Sequence, residues 1–146
     1  MLRALRLNPR RNPNFNWVRS ANSGALVLEQ PLDIPGLDVK VHSLISFLTG
    51  TGIVMSVDFI FLRNQKFLER REAINRGIEK IVWRGRHQAI DLLSNYLSYP
   101  GQEREIYRSN TYYGSADRDA IARGEELAKK EADALIDKVI DVLRSA

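Results

Sequence analysis

DVKVHSLISFLTGTGIVMSVDFIFL, residues 38–62, is the stretch on which the fold turns. In its first arm the odd positions Val39, Val41, Ile45 and Phe47 are apolar, and the even positions include Asp38, Lys40, His42 and Ser46. In its second arm Ile53, Met55, Val57, Phe59 and Phe61 are apolar, with Ser56 and Asp58 among the even positions. A period of two is that of a strand with one buried face, and TGTG between the arms supplies the turn. A three-residue loop, Thr49 to Thr51, sets Phe47 across from Ile53, Ile45 from Met55, Val41 from Phe59 and Val39 from Phe61, so that one face is wholly apolar. A four-residue loop scatters the same residues over both faces. Register follows the buried face, so the spacing predicts an antiparallel hairpin with the odd loop.

Val41 to Leu62 is also 22 residues long, enough for a helix to span a bilayer. His42, Asp58, three Ser, two Thr and two Gly weigh against its 13 large apolar residues. On an insertion scale that balance disfavours a membrane span.

Downstream the period changes. Phe67, Ile74, Ile78, Ile81, Val82, Ala89, Leu92, Leu93 and Tyr96 recur at the spacing of one helical face. The pattern predicts a helix over about 64–98, some 54 Å long at 1.5 Å per residue, weakened by Gly77 and Gly85 and bent or broken near 85. Pro100 and Gly101 end it. EREIYRSNTYYG reads as a short edge strand closed by Gly114. From 117 to 145 a second helix carries Ile121, Leu127, Ala128, Ala132, Leu135, Ile136, Val139, Ile140 and Leu143 on one stripe, with Ser115 or Asp117 as its cap and Glu126–Lys130 as an i, i+4 pair.

Upstream, ALVLEQ at 25–30 is a strand that Pro31 and the PLDIPG turn should close. Residues 1–23 contain Pro9, Pro13 and several Asn, and read as an arm whose Phe15, Trp17 and Val18 must dock on its own domain or on a neighbour. The expected class is α+β: a basic arm, 1–23, and a single domain, 24–146, in which two long helices lie on a small antiparallel sheet built around the hairpin.

With 146 residues and 44% apolar content the chain can bury one core, and without cysteine it has no disulfide, thiolate nucleophile or Cys-based metal site. The net charge of +4 is unevenly spread. Residues 1–28 hold five Arg and no acid, residues 63–86 hold eight Lys and Arg against three Glu, and the tail from Asp117 holds eight acids against six bases. No apolar signal region follows the basic start, so a cytoplasmic location is expected; alternating Leu and Arg in MLRALRLNPRR also resemble a mitochondrial presequence, and a virion is the other setting.

The candidate chemistry is thin. His42 and Asp58 fall opposite each other in the hairpin register, as a base and its orienting carboxylate would, yet no nucleophile accompanies them and a cross-strand polar pair is the better reading. Asp33 and Asp38 do not complete a spaced metal motif, and GTG at 50–52 is too short for a phosphate loop, so neither metal nor cofactor is expected. Tyr96, Tyr99, Tyr107, Tyr112 and Tyr113 beside Arg104 and Arg108 could stack on bases, but fit a sheet edge or subunit interface better.

What remains is contact. Arg3, Arg6, Arg10, Arg11, Phe15 and Trp17 of the arm, with Lys66, Arg70 and Arg84 of the first helix, are the candidate partner-binding residues. The expectation is a non-enzymatic structural or assembly subunit of a larger multi-protein complex, such as a virion or organelle particle. Its partners would be other protein subunits, including copies of itself, with the basic helix of one copy meeting the acidic tail of another. The alternative is a nucleic-acid-binding module using the arm and residues 63–86.

Overall fold

The computed structural model describes residues 14–48, 52–84, 89–96, 103–113 and 118–145. In chain order they form β1 (Val18–Arg19), β2 (Leu26–Ile34), β3 (Leu37–Leu48), β4 (Gly52–Leu62), α1 (Gln65–Arg84), β5 (Ala89–Tyr96), β6 (Glu103–Tyr113) and α2 (Arg118–Ser145). The strands make one antiparallel sheet in the order β1-β2-β3-β4-β6-β5. The α+β class is as the sequence implies.

The hairpin pairs as its apolar alternation requires. Val39 lies opposite Phe61, Val41 opposite Phe59, Ile45 opposite Met55 and Phe47 opposite Ile53, while His42 faces Asp58. Val41, Met55, Val57 and Phe61 are fully buried on the odd face. The 22-residue stretch that could have spanned a bilayer as a helix is therefore two strands, and no helix among the described residues is long and apolar enough to cross a membrane.

Both helices cover this odd face. Phe67 of α1 packs on Phe61 with ring centroids 5.0 Å apart, and Tyr107 of β6 meets Phe61 edge-on at 5.5 Å. From α2, Ala128, Ala132, Leu135, Ile136, Val139, Ile140 and Leu143 complete the same cluster. Asn64 starts α1, accepting the amide of Phe67 on its side-chain oxygen at 2.8 Å. Gly77, a weak point by propensity, lets the helices approach: a Cβ there would overlap Cγ1 of Val142.

Four elements depart from the sequence reading. The first helix stops at Arg84 and residues 89–96 are strand β5, although Ala89, Leu92, Leu93 and Tyr96 also fit a helical face. An eight-residue segment with five apolar residues satisfies either period, and the hydrogen bonds offered by the side of β6 decide it. With 20 residues α1 is about 30 Å long, close to the reach of the strands below it. Its Phe67, Ile74 and Ile78 are buried within the chain. β6 is an interior strand of 11 residues, flanked by β4 and β5, and not a short edge. β2 runs through Pro31 to Ile34, because β1 covers only Leu26 and Val27, so Pro31 sits where β2 has a strand on one side alone and its missing N–H costs no ladder bond. Pro35 and Gly36 then make the turn, with Gly36 at φ +79°, as a Pro–Gly type II turn demands. Ser115 and Asp117, the expected caps of α2, lie outside the described residues.

Candidate interaction surfaces

From sequence, the basic segment 63–86 is a surface waiting for something acidic. In the fold, much of its charge meets acids and carbonyls of the same chain. Glu105 is fully buried on the helix-covered face of β6; its Oε2 accepts a hydrogen bond from Nε of Arg71 at 2.7 Å, and Nε of Arg63 forms an ion pair with its Oε1 at 3.4 Å without a hydrogen bond. Arg63 also reaches Glu103 at 2.6 Å. The hydroxyl of Tyr107 donates to Glu105 at 3.4 Å. Burial first, and then the charge of Glu105, push the Tyr107 hydroxyl well above its ordinary range. The hydrogen bond from Arg71 to Glu105, more than its charge, holds the Arg71 guanidinium protonated still more firmly.

Arg70 is a clasp. One nitrogen donates to the carbonyl of Leu143 and another to that of Pro35 at 3.3 Å, tying α1 to the last turn of α2 and to the β2–β3 turn. A cation at a helix C-terminus satisfies orphan carbonyls and complements the dipole. Lys66 is exposed, with its stem against Gly36, and Arg76 pairs with Glu72 one turn back. The side chain of Arg84 and all of Arg3, Arg6, Arg10 and Arg11 lie outside the described residues.

The aromatic anchors of the arm dock on their own subunit. Phe15 and Trp17 pack against the core, and the indole N–H of Trp17 donates to Asp133 of α2 at 2.8 Å. Arg19 forks onto Glu125 of α2 at 2.7 and 2.9 Å, and its hydrogen bond holds the Glu125 carboxyl below the usual range. Gln30 bonds to the carbonyl of Asn14 at 3.2 Å and to the amide of Asn16 at 3.4 Å. Residues 14–20 thus follow the β2 edge and seal one end of the core.

The opposite, helix-free face of the sheet carries a row of polar and charged residues that sequence reasoning found only in part. Glu29, His42, Asp58 and Arg108 are successive cross-strand neighbours over β2, β3, β4 and β6. His42 and Asp58 are opposed as expected, but both oxygens of Asp58 are taken by Arg108, at 2.8 and 2.9 Å, and the Asp58 side chain is only 9% exposed. That fork fixes a carboxylate acceptor in place, and the arrangement is structural before it is catalytic. Nothing in the sequence placed Arg108 beside Asp58, since doing so requires knowing that β6 pairs with β4. On either side of the row Val27, Leu44, Val54, Ile60, Leu62 and Ile106 are half-buried, and Tyr112 is 50% exposed. Among the described residues no helix lies over this face.

No family model matches the chain, and no curated protein matches it. Among solved structures the chain is similar to one titled "Crystal structure of YbjN, a putative transcription regulator from E. coli", at 9% sequence identity and a TM-score of 0.39, over 90% of this chain and 81% of that one. A likeness at that level carries no argument for function.

Proposed function

We propose that this chain is a non-enzymatic assembly subunit that works by contact with other proteins in a larger complex, and that its contact surface is the helix-free face of the sheet. The observation that carries the reading is the composition of that face: half-buried Val27, Leu44, Ile60 and Ile106 and the exposed Tyr112 surround a polar and charged row in which one pair, Asp58 and Arg108, is already matched. Apolar groups stabilise a contact, and a fixed charge pair sets its register. Partners of the basic helix enter this reading less than the sequence alone suggested, because Arg63, Arg70 and Arg71 are engaged within the subunit.

A nucleic-acid partner is the competing reading, and the charge of the face argues against it. By strand parity the face presents Glu29, Asp33, Asp38 and Asp58 against Lys40, Arg104 and Arg108, which gives a phosphate backbone no net attraction.

Affinity capture with the full chain as bait tests the proposal. Three baits are compared: wild type, the face variant Leu44→Glu with Ile106→Glu, and the helix variant Glu126→Lys with Lys130→Glu. The reading expects a captured protein that the face variant loses and the helix variant keeps. Capture lost only by the helix variant, or affinity for duplex DNA that falls steeply with salt, overturns it.

A further inference from the structure

Residues 14–20 meet the rest of the chain as a bound peptide meets its site. Their exposure alternates: Phe15 and Trp17 are half-buried against the core, while Asn14, Asn16 and Val18 are exposed, which is the period of an extended segment with one side seated. Trp17 donates its indole N–H to Asp133 of α2, and Arg19, two residues on, forks onto Glu125 about two turns away on the same helix. Along the other flank Val18 and Arg19 pair with Val27 and Leu26 at the edge of β2, and the Gln30 side chain meets the carbonyl of Asn14 and the amide of Asn16. Backbone pairing at a sheet edge, with seats for alternate side chains, is one of the ways in which extended peptides are recognised.

The segment is held lightly. Its described ladder with β2 is two residue pairs, whereas β2 pairs with β3 along its whole length. The Arg19–Glu125 pair lies at the surface, where solvent screens it, and Phe15 and Trp17 are half-buried whereas Leu28 of β2 is fully buried. A turn closed by Ser20 and Gly24, with Gly24 at φ +74°, joins the segment to β2, so that it can lift without breaking the β2–β3 ladder. Segments held in this way open ahead of a core.

We propose that the β2 edge together with Glu125 and Asp133 of α2 is a peptide-binding site, that the chain's own residues 15–19 fill it as an internal strap, and that its external ligand is an extended segment of a partner protein with the same chemistry. The resident strap defines that chemistry: two aromatic residues at alternate positions, followed two residues later by an arginine. A carboxylate in the arginine's place would face Glu125 and be excluded. Because the strap competes with any such ligand, the apparent affinity of the wild type is reduced by the fraction of molecules in which the strap is open. The site lies on the β2 edge and the helix side of the sheet, so the inference goes beyond the helix-free contact face and stands without it.

A labelled synthetic peptide of residues 14–20, NFNWVRS, is the probe, and the full chain carrying Trp17→Ala and Arg19→Ala, which loosens the resident strap, is the receptor. Fluorescence anisotropy is expected to show saturable binding at least about tenfold tighter than to the wild type, whose site is filled. Adding Glu125→Ala and Asp133→Ala to the loosened chain should abolish it, and so should the same Trp17→Ala and Arg19→Ala changes made in the peptide. A loosened chain that keeps the wild-type circular dichroism but binds nothing overturns the proposal, as does binding that survives either set of changes. A loosened chain that does not fold also overturns it, because the strap is then part of the core. A wild-type mass of twice 16.7 kDa by light scattering that the loosened chain loses would assign the site to the strap of a second copy and overturn the partner reading.

Discussion

Glu105 shows what an isolated residue name hides. In sequence it is one of two acids in EREIY with nothing to distinguish it; in the fold it is buried between Arg63 and Arg71 and beside Tyr107. Two cations neutralise the buried carboxylate, and the hydrogen bonds from Arg71 and Tyr107 both go to its Oε2. Tyr107 makes this cluster sensitive to alkali. Its folded hydroxyl ionises at a higher pH than that of an unfolded tyrosine, near 10, so its contribution is complete below about pH 10 and is lost as pH rises toward the folded value. Urea unfolding should therefore show about 1 kcal/mol less stability at pH 11 than at pH 9 from this residue, and Tyr107→Phe should flatten that part of the slope. An unchanged slope in Tyr107→Phe would place the hydroxyl in water. Asp58 and His42 were legible at this scale because their register came with the hairpin. Arg108, Glu105 and the charges they pair with were not, since each ion pair joins residues at least 34 apart through a strand order that local pattern does not encode.

At the scale of elements, alternation decided most. The hairpin was legible down to its register because both arms keep one apolar face and only one loop length aligns them. Val57→Lys should then destabilise by about 3–5 kcal/mol, as a buried unpaired charge does, whereas Ser56→Lys on the other face should cost under about 1 kcal/mol. Equal melting temperatures would contradict the facing of β4. β5 was not legible: AIDLLSNY follows a true helix, fits its spacing, and becomes a strand only because β6 offers it a ladder. The aromatic signal in the arm was legible, though not its target. Truncation at residue 13 should leave thermal stability within about 0.5 kcal/mol of the full chain. Truncation at residue 23 removes Phe15, Trp17 and Arg19, and should cost about 2–4 kcal/mol while the domain still folds. Equal losses in the two truncations would place the anchor before residue 14.

For the whole molecule the account is a division of labour between two faces. One face of the sheet is spent on the core, and α1 with the residue Arg63 just before it serves that face with cations as well as apolar groups: Arg63 and Arg71 hold Glu105, and Arg70 clasps α2. The other face is the one proposed for contact. Charge patterning in the sequence marked residues 63–86 as unusual, but charge sums cannot separate a surface from an internal clamp when the matching acids lie 34–42 residues away. Chemical denaturation of Arg70→Gln and Arg71→Gln, read beside light scattering, tests this division most directly. The account predicts that each variant loses about 1–3 kcal/mol of unfolding free energy with an unchanged denaturant slope and an unchanged particle mass. Unchanged unfolding together with a lost assembly would contradict it, and would return the basic helix to the role of a docking surface.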